Sequence, residues 1–192
     1  MNDNGDFVVF DISNPVLPIR VGAVSLGGAN YSSIFIKDDY AYVTKMSETS
    51  LENGGRLKIL SIADPTHPTL IGSVTIDAVV GGSAKGEHNG GTTASVYVNG
   101  NYAYISNAME DTVSIVDISN PSAPFMVRPS FYADPVNFRT TPWQIFVQGH
   151  YAYTANGYSQ NINVIDISNP LVPVTVGTTS AQTDHPMGIY VR

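Results

Sequence analysis

The pentapeptide Asp-Ile-Ser-Asn-Pro stands at 11–15, 117–121 and 166–170, and a degraded copy, Ser-Ile-Ala-Asp-Pro, at 61–65. Each copy carries a second proline three residues after the first: Pro15 and Pro18, Pro65 and Pro68, Pro121 and Pro124, Pro170 and Pro173. A recurrence about every fifty residues is the mark of stacked supersecondary units, because a repeat of that size cannot bury its apolar face alone. This repeat constrains the fold before any other feature does.

Between the prolines lies a second recurring segment. It reads SSIFIKDDYAYVTK from Ser32, ASVYVNGNYAYISN from Ala94 and WQIFVQGHYAYTAN from Trp143, with a short version, MGIYVR, at Met187–Arg192. Each segment predicts two strands and a tight turn. Asn99-Gly100 is the expected turn centre in the middle copy, since a type I′ turn needs positive φ at both central residues. Lys37-Asp38 and Gln148-Gly149 take the same place. A third strand is expected at 7–12, 57–62, 113–118 and 162–167. Then comes the Asn-Pro or Asp-Pro corner, where proline turns the chain. A fourth strand follows near 19–24, 69–74 and 174–179. The copy at 125–131 contains Pro129 and reads as an edge strand.

In the first strand Ile34 and Ile36 oppose Phe35. Val96 and Val98 oppose Tyr97, Ile145 and Val147 oppose Phe146, and Ile189 and Val191 oppose Tyr190. Both faces are apolar, so every sheet needs a neighbour on each side. A flat sandwich with one wet face would show apolar-polar alternation instead. Radial stacking supplies two neighbours. The expected fold is all-β: a β-propeller of four-stranded antiparallel blades, three complete and others partial. One propeller domain or propeller fragment spans 1–192. It divides into a partial blade over 1–29, blades over 30–80, 92–135 and 141–181, and the start of another over 185–192.

Phe7–Ser13, Val113–Ser119 and Ile162–Ser168 read FVVFDIS, VSIVDIS and INVIDIS. With the Tyr-Ala-Tyr strand and the Asn-Pro-x-x-Pro corner, they resemble the LVIVD repeat over nearly the whole chain. Ser61 departs from the pattern, where the other copies have Asp11, Asp117 and Asp166. The resemblance implies a propeller of bacterial or archaeal cell-surface or secreted proteins, with a binding or interaction role. WD-type repeats match less well, because there is no Trp-Asp pair and Trp143 is the sole tryptophan.

The chain opens in the third strand of one unit and closes after the first strand of another. Three arrangements fit: a piece of a larger propeller, an incomplete ring completed by a second copy, or a four-bladed ring with one defective blade. An open arc leaves an apolar blade face and a strand edge in water, which predicts self-association.

Net charge is −7, which argues against non-specific nucleic-acid binding. The absence of cysteine excludes a disulfide framework, a thiol nucleophile and zinc–cysteine sites. No apolar run reaches membrane-spanning length. The polar start MNDNGD is not a signal peptide, so an extracellular or cell-surface location rests on the resemblance alone.

Asp11, Asp117 and Asp166 recur once per unit and read as acceptors for corner amides, not as bases. Positions where the units differ carry more information, because loops on a repeated scaffold carry function. The loop 77–93 places Lys85, Glu87 and His88 among five glycines. Glu87 and His88 could form an acid–base pair or two metal ligands, or be a solvated loop. Asn30, Thr92, Thr141 and His185 each stand four residues before an inner-strand aliphatic, at the rim of the expected channel. Such a rim suits ordered water, a sugar hydroxyl or a loosely held ion. No cofactor and no defined metal site is expected. The insertion 47–56 carries Glu48, Glu52 and Arg56 as an exposed extension.

Two functions follow. The leading one is a non-catalytic module that binds protein or carbohydrate at the cell surface through its loops, with the rim and Glu87–His88 as candidate contacts. The alternative is a propeller hydrolase, lactonase or lyase with a channel metal, using His88, Glu87 and His185.

Overall fold

The computed structural model describes residues 5–46, 55–76, 93–136, 139–180 and 185–192. Glu87, His88 and Thr92 lie outside them, as does most of the 47–56 insertion. The described residues form fifteen strands in four antiparallel sheets. The first unit is a two-stranded sheet of β1 (Asp6–Asp11) and β2 (Ile19–Ser25). The second is a four-stranded meander of β3 (Tyr31–Lys37), β4 (Tyr40–Lys45), β5 (Gly55–Ser61) and β6 (Thr69–Ile76). The third contains β7 (Thr93–Asn99), β8 (Tyr102–Asn107), β9 (Thr112–Asp117), β10 (Phe125–Met126) and β11 (Phe131–Tyr132). The fourth repeats the meander with β12 (Pro142–Gln148), β13 (Tyr151–Asn156), β14 (Asn161–Asp166) and β15 (Val174–Ser180).

The units stack face to face, as two-faced apolar strands require. One core joins Tyr42, Leu57, Ile59 and Ile76 of the second unit to Val96, Val98, Ile105 and Val116 of the third. The next joins Tyr104, Val113 and Ile115 of the third unit to Ile145, Val147, Ile165 and Ile167 of the fourth. A third joins Phe7 and Leu26 of the first unit to Ala41, Val43 and Leu60 of the second. The Tyr-Ala-Tyr strand divides its residues between these layers. Ala41, Ala103 and Ala152 are fully buried against the preceding unit, and Tyr42 and Tyr104 against the following one. Burial raises the pKa of both tyrosines, that of Tyr104 to about 12. The result is an arc of propeller blades.

Three local expectations are corrected. The hairpin turns centre one residue later than expected, on Asp38-Asp39, Gly100-Asn101 and Gly149-His150. Only the first residue of each pair has positive φ, at 51°, 56° and 59°. A type I′ turn would need both. The fourth strand of the third unit is broken, and β10 and β11 pair separately with β9. Pro129 lies between them and cannot donate to the ladder. Residues 187–191 are not a hydrogen-bonded strand: among the described residues no strand forms a ladder with them.

The corner aspartates have the structural role expected of them. The amides of Ser13, Ser119 and Ser168 donate to Asp11, Asp117 and Asp166 at 2.8 Å each.

Candidate functional site

The innermost strands β3, β7 and β12 and the segment 188–190 converge on one cleft of about 610 Å³. It is lined by the same three positions of four successive repeats, and those positions sort by chemistry. Ser33, Ser95, Gln144 and Gly188 form one rung, Ile34, Val96, Ile145 and Ile189 a second, and Phe35, Tyr97, Phe146 and Tyr190 a third.

An innermost strand has a ladder partner on one side only. Its other edge must find acceptors elsewhere. The polar rung supplies them. The Val96 amide donates to Ser33 Oγ at 3.4 Å, and the Ile189 amide donates to Gln144 Oε1. Ser33 and Gln144 each serve the next repeat, and the Gln144 bond ties Ile189 to the inner strand of the fourth unit. The aromatic rung is continuous. Ring centroids are 4.7 Å apart between Phe35 and Tyr97, 4.8 Å between Tyr97 and Phe146, and 5.2 Å between Phe146 and Tyr190. All three pairs are tilted or edge-on, the geometry favoured by the ring quadrupole. Among the described residues no carboxylate, imidazole, amine or guanidinium lines the cleft.

The rim residues lie just outside this lining. Asn30, Thr141 and His185 share one backbone state, left-handed with φ of 62°, 53° and 51°. Asn30 and Thr141 immediately precede β3 and β12. The Asn30 carbonyl accepts from the Met46 amide at 2.9 Å, and the Thr141 carbonyl from the Gly157 amide at 3.0 Å. A bulge follows at Ser32, Ala94 and Trp143, so two residues oppose one. The described rim residues are thus set by the fold in equivalent places, and none of them lines the cleft.

One titratable group near the rim escaped the sequence reading. Asp111, left-handed at φ 59°, accepts the Thr141 amide at 2.7 Å. Burial raises its pKa, against hydrogen bonds from Thr141 and Thr140 and the nearby Arg139 charge, all of which lower it. Asp111 occurs in one unit only, so the repeat offered no signal for it. The cleft rungs were visible as aligned positions, but only packing showed that they share one cavity. Among the described residues no group of three or more His, Cys, Asp or Glu could hold a metal ion. No helix among them is long and apolar enough to cross a membrane.

No curated protein matches this chain. Solved structures do. A protein from Lactobacillus plantarum superposes with a TM-score of 0.74 at 13% identity, covering 94% of this chain and 50% of its own. A functionally unknown protein from Desulfotomaculum acetoxidans gives 0.69 at 16% identity, covering 93% and 50%. A putative 6-phosphogluconolactonase from Bacteroides uniformis gives 0.68 at 17% identity, covering 96% and 51%. The chain thus spans about half the length of these propeller-like structures, and at such identities the likeness is one of fold. The LVIVD repeat model matches at 2–25, 28–76, 90–129 and 141–180. With four matched repeats and the blades they build, this chain belongs to the LVIVD-repeat family.

Proposed function

We propose that this LVIVD array is a non-catalytic binding module of a cell-surface or secreted protein, and that its inner-strand cleft takes an uncharged ligand. One observation carries the reading: a cleft of about 610 Å³ walled by four aromatic rings, hydroxyls and an amide, with no carboxylate, imidazole, amine or guanidinium among the described residues that line it. Aromatic faces bind apolar C–H surface, and Ser and Gln side chains orient hydroxyls. A carbohydrate offers both chemistries. General acid–base work needs a titratable side chain within hydrogen-bond reach of the reacting atom, and among the described residues the cleft lining offers only the Tyr97 and Tyr190 phenols.

Neutral oligosaccharides tested by arrayed binding and then calorimetry should include a ligand. Tyr97→Phe, which keeps the ring and removes one hydroxyl, should weaken it about three- to tenfold. Binding that is lost when loop 77–93 is shortened, yet indifferent to Tyr97→Phe, would place recognition on the loops instead. The names of some structural neighbours favour the second reading, a lactonase-type enzyme. It requires Glu87, His88 and His185 to act together. It expects bound metal in protein purified without chelator, and a rise in melting temperature on adding Ca²⁺, Zn²⁺ or Mn²⁺.

A further inference from the structure

Three equivalent amides face the cleft from successive repeats, those of Val96, Ile145 and Ile189. Two of them are closed by the polar residue of the repeat before. Ser33 Oγ takes the Val96 amide, and Gln144 Oε1 takes the Ile189 amide. The middle position breaks the pattern. Ile145 pairs with Thr154 as Val96 pairs with Ile105, in the same register just past the bulge. The Val96 amide points off its sheet toward the inner edge, so the Ile145 amide turns the same way. Its expected acceptor is Ser95, the counterpart of Ser33 and Gln144. No hydrogen bond joins them, and among the described residues Ser95 Oγ has no hydrogen-bond partner.

Ser95 is 8% exposed and Ile145 2%, and both line the cleft between β7 and β12. Buried amides and hydroxyls in folded proteins are nearly always paired. An unpaired amide and an unpaired hydroxyl facing one cavity mark a place for a ligand atom. Gln144 adds to the same imbalance. Because its Oε1 accepts from Ile189, its Nε2 is left toward the cleft with two N–H donors and no partner among the described residues. Donors therefore exceed acceptors along the polar rung. Beside them stands the aliphatic rung of Ile34, Val96, Ile145 and Ile189, and then the aromatic one.

We propose that the ligand of this cleft is an acetamido sugar: its carbonyl oxygen accepts from the Ile145 amide and the Ser95 hydroxyl, and its methyl packs on the adjoining aliphatic and aromatic rungs. The proposal rests on the carbohydrate reading of the cleft and narrows it. An amide carbonyl has two lone pairs and no proton, so one oxygen can serve both donors. A plain sugar hydroxyl brings another proton to a site already rich in them, and offers the aliphatic rung nothing apolar. A carboxylate would also satisfy the donors, but the chain carries a net charge of −7 and no cationic side chain is among the described residues that line the cleft. Gln144 Nε2, one repeat further on, donates to a second acceptor of the same oligosaccharide.

Calorimetry with N-acetylglucosamine oligomers and glucose oligomers of the same length and linkage tests the proposal, since the two series differ by one acetamido group for one hydroxyl in each ring. The acetamido series should bind about tenfold or more tightly. In an NMR titration with that series the Ile145 amide should shift further than the Val96 amide, which Ser33 already holds. Ser95→Ala should weaken binding about three- to tenfold. Gln144→Glu keeps an oxygen for the Ile189 amide and removes both donors, and should weaken it about tenfold or more. Both variants should retain the circular dichroism spectrum. Equal affinity for the two series, tighter binding of uronate oligomers, or an Ile145 amide and a Ser95→Ala variant that both leave binding unmarked would overturn the acetamido assignment and leave the carbohydrate reading standing. Binding of no neutral oligosaccharide would overturn both.

Discussion

At Asp64 the corner carboxylate accepts the Thr66 amide at 2.9 Å and the Thr66 hydroxyl at 2.6 Å, and lies 3.0 Å from His67 Nδ1. These bonds, the Thr66 hydroxyl foremost, hold its pKa down to about 2. Asp11 and Asp166 are lowered by the amides of Ser13 and Ser168. A carboxylate whose folded pKa is depressed adds stability that is fully present above its unfolded value, about 3.9, and is lost as pH falls through the folded one. The corners are therefore expected to loosen between about pH 4 and pH 2. An NMR titration of the Asp64 carboxyl should show a midpoint near 2, and Thr66→Val should move it upward; an unchanged midpoint would dissociate the shift from that hydroxyl. Residue chemistry also explains how a corner packs on the unit before it: the Pro65 carbonyl lies against Gly22 and the Pro121 carbonyl against Gly72. At Gly72 the permissive backbone of glycine matters less than its missing Cβ, because the Pro121 carbonyl takes that space. Gly72→Ala is expected to cost about 1–3 kcal/mol in urea unfolding, since the clash is with backbone that cannot rotate away.

Among elements, the inner strands carry the most cross-unit structure. Tyr97 of β7 packs between Phe35 of β3 and Phe146 of β12, so its removal opens two unit interfaces at once. Tyr97→Ala is expected to cost about 2–4 kcal/mol, measured as a lower urea midpoint, whereas Phe35→Ala removes one of these ring pairs and costs less. Buried side-chain networks hold the other strands. Asn156 in β13 donates to Asn161 Oδ1 at 2.7 Å and Asn163 Oδ1 at 2.9 Å in β14. Asn163 in turn donates to the Ala133 carbonyl of the preceding unit at 2.7 Å. In the second unit Lys58 takes the corresponding place and donates to the Leu26 carbonyl of the first. Asn163 and Lys58 thus tie one blade to the one before it.

For the whole molecule, stability follows the stack. Among the described residues each core joins one unit to the next, so protection from hydrogen exchange should follow the number of covered faces. The third unit is covered on both sides. The first is a lone two-stranded sheet held by one core, and two-stranded sheets are marginal by themselves. Amides of β1 and β2 should exchange first and those of β8 and β9 last. Equal protection throughout would contradict this order.

Repeat period, strand order, corner aspartates and the two-faced inner strands were legible in the sequence, because a recurring residue reports a recurring backbone environment. Val96, Tyr97 and Val98 already implied a neighbour on each side, and packing against the second and fourth units supplies both. Turn register was not legible to the residue: Asn-Gly suggested a type I′ centre, but pairing of Asn99 with Tyr102 moved the turn forward by one. The cleft was legible only as aligned columns. That Ser33, Gln144 and the four aromatic rings surround one space depends on the angle at which the blades stack, which local pattern does not encode. Asp111 was invisible for the converse reason: it belongs to one unit, and its environment comes from Thr141 on the next. The sequence by itself thus determined what each blade is and that blades must stack, through propensity and hydrophobic period. Only the tertiary structure decided which faces each blade buries, because burial is a property of neighbours and not of the strand that carries the residue.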